Sequence, residues 1–466
     1  MMRSLVSRGN DFFGIATTDG LLLHESLNQL ADCRAYSTVA IGYNLNRIFA
    51  KDIPQPLLHD DLGFTFEGRI YPTSETSDCK KALALIEESS DIELGGFVQQ
   101  VEGAYVLAAI YQGRLLVVRD LLGCKPLYWG EVEGIMAFAS EQKALWTIGI
   151  DSPRRLPPGS TYNVPTDTAP IQASTISEHL TLQRINLESA ARRLSELIVQ
   201  SVRKRSGDVK SVAVAYSGGV DSAVLASSCR LAGLDVKLFT VAAEDNSELE
   251  YAKQSAKALE MPLTVKQYSL PDLERSIPEA ILRTEKPDLM NLCITIPVFW
   301  ASKLASENGF QVVFAGQGAD ELFGGYDRYI TTYQREGPDK ANDMMMKDVQ
   351  RIAELNLERD EQAAAGTKVE LRLPFSDWNV VRHALSLPIH LKIGGTDESL
   401  QKLALREVAH LQGIPEFISR RPKRAVQYST GVAALIRLLA RQAGMAPQDY
   451  VLKQFDRVRN ELLLQS

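Results

Sequence analysis

The chain has 466 residues, 45% of them hydrophobic, enough for more than one buried core, and two domains is the expectation. Its 51 Lys and Arg stand against 58 Asp and Glu, and a net charge of -7 argues against a protein whose main work is gripping nucleic acid. Five cysteines without paired short spacing give neither a zinc site nor a disulfide framework, which fits a reducing cytoplasm, and no apolar run approaches the roughly 18 to 20 residues that span a bilayer.

Residues 1–165 are strand-rich. Ala104 to Tyr111 and Arg114 to Arg119 flank Gln112-Gly113 as a hairpin, and Ile135 to Ser140 follows, so an antiparallel sheet is implied. Residues 166–180 hold Pro, Thr, Ala and Ser with no sustained period and form the expected linker. A second domain then occupies 181–466. It opens with a helix, because Leu187, Ala190, Leu194, Leu197, Ile198 and Val202 make one apolar stripe. Gly207-Asp208 breaks that helix, Ser211 to Tyr216 is a short strand, Ala223 to Leu231 a helix, and Val236 to Ala242 another strand. Strand, helix, strand predicts a doubly wound parallel sheet with crossovers. Ser247 with Glu250 makes a capping box for the next helix. Gln311 to Ala315 is a strand that delivers a glycine-rich turn, and beyond about Ile330 the chain is mostly helical.

The segment Ser217-Gly218-Gly219-Val220-Asp221-Ser222 joins a strand to a helix. Two glycines let the backbone turn sharply and approach a ligand, while free N–H groups and the positive end of the helix dipole face one point. That is a site for phosphate oxygens. Asp221 is a poor neighbour for phosphate unless Mg²⁺ bridges the two, so its presence predicts a metal. The Gly-Lys-Ser/Thr ending of a Walker A loop is missing.

This loop resembles the PP-loop of ATP pyrophosphatases, which cleave ATP between the α and β phosphates. Ala315-Gly316-Gln317-Gly318-Ala319-Asp320-Glu321-Leu322-Phe323-Gly324-Gly325-Tyr326 is similar to the second signature of the asparagine synthetase family. Val369 to Asp377, Lys402 to Glu407 (KLALRE), and Arg421-Pro422-Lys423-Arg424 with Tyr428 to Val432 resemble three further stretches of that family. The resemblance implies ATP and Mg²⁺ at Ser217 to Ser222, with Asp221 and Asp320 sharing the metal. It also implies that Gly316 and Gly318 shape the site, that Thr240 and Val241 contact the adenosine, and that Lys423 steadies the departing pyrophosphate. Gln317 stands where asparagine synthetases carry Glu and β-lactam synthetases Tyr; its amide cannot act as a base near neutral pH. Glu285 resembles the family's acidic position before that motif and is the candidate for orienting the nucleophile.

Toward the amino terminus, Arg8 to Asp11, Phe66 to Tyr71, Arg119 to Tyr128 and Phe138 to Leu145 resemble the class II glutaminase domain, an Ntn-type antiparallel α+β sandwich. In that family an N-terminal cysteine attacks glutamine and its own amine is the base. Here the chain begins Met1-Met2-Arg3, the first cysteine is Cys33, and Glu67 takes the place of the oxyanion-hole Asn; Ser77-Asp78 still resembles the acidic site that holds the glutamine amine. Two explanations stand equally: the glutaminase has decayed, or the true start lies upstream. The implied activity is an amide-forming ligase that adenylates aspartate and takes nitrogen from glutamine or ammonia. The alternatives are another amide ligase, as β-lactam synthetases are, or a nucleotide-binding regulatory protein without turnover. A cytoplasmic, non-membrane enzyme completes the expectation, with a homodimer among the assemblies it allows.

Overall fold

The computed structural model describes residues 1–31, 37–88, 95–244, 246, 248–394, 401–422 and 429–464. Cys33, Ser247, Lys423, Arg424 and Tyr428 lie outside the described residues, and with them the expected capping box and the expected pyrophosphate lysine. The chain divides into two compact units, Met1–Glu178 with Phe455–Ser466, and His179–Gln454. The expected linker 166–180 is partly sheet, because Ile171–Gln172 pairs antiparallel with Ser160–Val164. The end of the chain groups with the first unit and not with 181–466: Phe455 meets Trp146 edge-on with ring centroids 6.0 Å apart, and Arg459 pairs with Asp151 at 2.7 Å.

The first unit holds a six-stranded antiparallel sheet and two three-stranded ones. Period-two alternation assigns its faces. Phe64, Phe66, Tyr105, Leu107, Ala109 and Val118 meet Cys79, Ala82, Ile86, Phe97 and Val98 of two helices, Asp78–Glu87 and Gly95–Gln100. Val106 and Val117 point the other way, against Leu127, Trp129, Leu156 and Tyr162. The expected hairpin closes at Tyr111 opposite Arg114, with Gln112 and Gly113 both left-handed at φ 51 and 74, the two-residue turn whose twist matches its strands.

In the second unit five parallel strands run in the order Leu263–Tyr268, Asp235–Ala243, Ser211–Ala215, Val312–Phe314, Glu370–Arg372. Val212, Ala213 and Val214 are fully buried, because a central parallel strand is covered on both faces and must be apolar throughout. The helix Leu187–Lys204 buries Ala190, Leu194, Leu197, Ile198 and Val202 and is capped by Asn186, whose Oδ1 accepts from the Ser189 N–H at 2.8 Å. Contrary to expectation one helix among the described residues, Leu289–Glu307, is long and apolar enough by composition to cross a membrane. In this structure 61% of that stretch is buried, and it packs on the parallel sheet and the helix Leu270–Thr284.

Candidate functional site

The strand order reverses direction at Ser211–Ala215, whose neighbours Asp235–Ala243 and Val312–Phe314 both follow it in the sequence and pair on its opposite edges. At such a switch point the connections leave to opposite faces and open a crevice at the carboxyl ends of the strands. Both glycine-rich turns leave from this place: Tyr216 to Gly219 after the central strand, Ala315 to Gly318 after its neighbour.

The first turn is tied by its own hydroxyls. Ser217 Oγ lies 3.2 Å from Ser222 Oγ and accepts from the Gly219 N–H at 3.3 Å, while Ser222 Oγ donates to the Gly219 carbonyl at 3.1 Å. Gly218 has φ 76, and a Cβ there would stand 3.1 Å from the Tyr251 ring, so both the left-handed backbone and the close approach favour glycine. Gly219 begins the helix Val220–Leu231 without a side-chain cap. Val220 is buried and anchors the first turn of that helix. Thr240 does not project its hydroxyl outward: Thr240 Oγ1 donates to the Tyr216 carbonyl at 2.6 Å and so holds the turn. Val241 beside it is buried.

Asp221, one residue into the helix, faces the second turn. A Cβ on Gly316 would lie 3.2 Å from Asp221 Cβ, so the two turns touch through that glycine. Gly318, at φ 94, starts the short helix Ala319–Phe323, which carries Asp320. Asp221 and Asp320 converge on one atom. Lys402 Nζ stands 2.5 Å from Asp221 Oδ2 and 2.6 Å from Asp320 Oδ1, which places those oxygens at most 5.1 Å apart, the two distances laid end to end. Burial alone would lower the pKa of this ammonium; the two carboxylates outweigh burial and hold it above its ordinary value.

Sequence reasoning named Lys402 within the KLALRE stretch but gave it no partner. Its ion pair with Asp221 joins residues 181 apart in the chain, a distance no local pattern spans. Glu321, the neighbour of Asp320, turns away and is fully buried, accepting from Asn356 Nδ2 at 2.6 Å and from the Tyr326 hydroxyl. Gln317 is half-buried in the turn. Glu285 is buried at the left-handed C-cap of the helix Leu270–Thr284, with Gln362 Nε2 3.5 Å from its carboxylate. Arg421, just before the expected pyrophosphate lysine, pairs with Glu248 and stacks over the Tyr251 ring at 3.3 Å.

The residues present fit a magnesium ion. Mg²⁺ is commonly held by one or two carboxylates with substrate phosphates and water completing its shell. Asp221 Oδ1 is buried without a hydrogen-bond partner among the described residues, an acceptor left over for a cation.

In the first unit Glu67 accepts from Arg8 Nε at 3.0 Å and from Ser140 Oγ at 2.9 Å. Burial would raise its carboxyl, but the Arg8 guanidinium, with Lys125 and these hydrogen bonds, holds it at about 2. Asp78, expected to receive a ligand amine, is already engaged: it accepts from the Ile70 N–H at 3.1 Å and lies 3.4 Å from both Lys51 Nζ and Arg69 Nη1. Gly68 lies opposite Tyr105 in the strand ladder.

The asparagine synthase family model matches residues 193–336 and 330–463, and a glutamine amidotransferase domain model matches 54–147. A Methanocaldococcus jannaschii protein that carries the name asparagine synthetase 1 (glutamine-hydrolyzing) is 30% identical, covering 96% of this chain and 93% of its own. Asparagine synthetase (glutamine-hydrolyzing) of Zea mays is 26% identical over 81% of this chain and 68% of its own. With an antiparallel amidotransferase sandwich before a five-stranded parallel α/β synthetase domain of a kind that uses ATP, the chain belongs to the asparagine synthase family of glutamine-hydrolysing ligases.

Proposed function

We propose that this chain adenylates a carboxylate, with aspartate the leading substrate, and converts it to the amide, asparagine. The observation that carries the reading is the meeting of Asp221 and Asp320 at the switch point, beside an uncapped helix start. The Ser217 to Ser222 turn offers N–H groups and two hydroxyls to a triphosphate. Asp221 and Asp320 would hold Mg²⁺, which supplies neutralising charge for the phosphates that leave. A substrate carboxylate oxygen bonds to the α-phosphorus as the bond to the β-phosphate oxygen breaks, releasing pyrophosphate. Ammonia then bonds to the acyl carbon, AMP departs, and the nitrogen gives up a proton. Gln317 can hydrogen-bond this nitrogen but cannot take its proton, so the proton goes to solvent or to another base.

Glu67 and Asp78 favour a second reading of the nitrogen supply, namely free ammonia. By the family resemblance Glu67 takes the place of an oxyanion donor, and Arg8 holds it as a carboxylate, while Asp78, expected to bind the glutamine amine, already faces Lys51 and Arg69. One assay set tests both parts. Exchange of labelled pyrophosphate into ATP should require aspartate and fall roughly a hundredfold or more in Asp221→Asn, the scale of losing one transition-state contact. On the ammonia reading amide forms with ammonium chloride and not with glutamine, whereas a glutamine-hydrolysing chain forms it with both. Exchange that ignores aspartate would contradict the substrate, and glutamate released in step with amide would contradict the ammonia supply.

A further inference from the structure

Lys402 is set into the site with unusual firmness. It is 2% exposed, whereas its partners Asp221 and Asp320 are 26% and 24% exposed, so the ammonium lies beneath a pair of carboxylates that still reach solvent. Its backbone is left-handed, φ 59, at the start of the helix Leu403–Leu411. The residue before it is fixed from two sides: Gln401 Nε2 donates to Asp327 Oδ1 at 2.7 Å, and the Gln401 carbonyl accepts from Arg406 Nε at 2.6 Å. Gly325 leaves the room the lysine needs, since a Cβ there would stand 2.4 Å from Lys402 Cε and 2.0 Å from Asp320 Oδ1.

The consequence is electrostatic. A divalent cation held by both carboxylates needs their oxygens at about 2.0 to 2.1 Å, in the gap where the ammonium now stands. Two cations cannot share that gap in a partly buried place. A metal ion arriving alone therefore competes with a cation tethered to the chain and present at high effective concentration. A metal ion arriving on a triphosphate brings new oxygens that can take over the ammonium as the carboxylates turn to the metal.

We propose that Lys402 is an internal counterion that fills the divalent-cation position of Asp221 and Asp320, so that metal is admitted only together with nucleotide. This rests on the reading of those two carboxylates as metal ligands. Lys402 is in this sense a positioning and gating residue. It holds two neighbouring carboxylates converged while the site waits.

Manganese binding to the 466-residue chain, followed by the loss of the free Mn²⁺ resonance, tests it without any turnover. Wild type should take up Mn²⁺ about tenfold or more tightly with α,β-methylene ATP than without it, after correction for metal on free analogue. Lys402→Met should bind Mn²⁺ alone about tenfold or more tightly than wild type does, because the tethered competitor is gone. Lys402→Arg keeps the charge and should remain poor at binding metal alone. If Lys402→Met gains nothing while wild type still loads Mn²⁺ with the analogue, the counterion role falls and the metal site stands. If wild type loads no Mn²⁺ even with the analogue, both fall. Should Lys402→Met fail to fold, wild type decides: equal uptake with and without the analogue overturns the proposal.

Discussion

Gly325 has no room for a methyl group, and the atoms in the way are the ones that matter. An added Cβ would press on Asp320 Oδ1 at 2.0 Å and on Lys402 Cε at 2.4 Å. A shift of about 1 Å in a reacting group can cost on the order of a hundredfold in rate. Gly325→Ala should therefore lower kcat/KM for pyrophosphate exchange by roughly that factor while the unfolding midpoint moves little, because the clash falls on side chains at the crevice. An unchanged rate would show that Asp320 and Lys402 need not stay where they are. At this scale the sequence displayed some residues and hid others. Asp221 was legible because it sits in a strand, turn and helix whose local pattern needs no distant partner. Lys402 was not, since its meaning comes from two carboxylates brought to it by separate strands. Thr240 was expected to contact the adenosine, and its hydroxyl serves the Tyr216 carbonyl.

Among the elements, the turn Ile389–Leu391 ends in a lysine that works against stability. Lys392 is fully buried, and its Nζ has no hydrogen-bond partner among the described residues. Burial pushes its pKa down to about 7 from the ordinary 10.5. Between those values the unfolded chain holds a proton that the folded chain has lost, so wild-type stability rises with pH across that window, and the full cost is present below it. Lys392→Met should be more stable than wild type at pH below the folded value, by on the order of a few kcal/mol, with the advantage shrinking as the medium becomes alkaline. Denaturant unfolding of both chains at acidic and alkaline pH checks this, and a variant less stable than wild type in acid would refute it. Elements were legible where burial on both faces makes an apolar run, as in Val212 to Val214. The edge strand Glu370–Arg372 was hidden for the opposite reason. It is three residues long with charge at both ends, and the buried Arg372 pairs with Asp208 and Glu370 at 2.6 and 2.7 Å and donates to the Arg205 carbonyl.

For the molecule as a whole, the sheet order gives the site its position. Putting the Ser211–Ala215 strand in the middle, with a later strand on one side and a nearer one on the other, sends two glycine turns to one crevice. The sequence foretold parallel strands and crossovers, but the order of strands follows from which apolar faces find each other, and that is settled only when the chain is closed. The most direct test of the account is diffraction from crystals grown with Mn²⁺ and α,β-methylene ATP. The manganese anomalous peak should lie between the carboxylates of Asp221 and Asp320, with triphosphate over Gly218 and Gly219 and the Lys402 ammonium moved onto a phosphate oxygen. A peak elsewhere, or nucleotide bound with those two carboxylates still closed on Lys402, would contradict it.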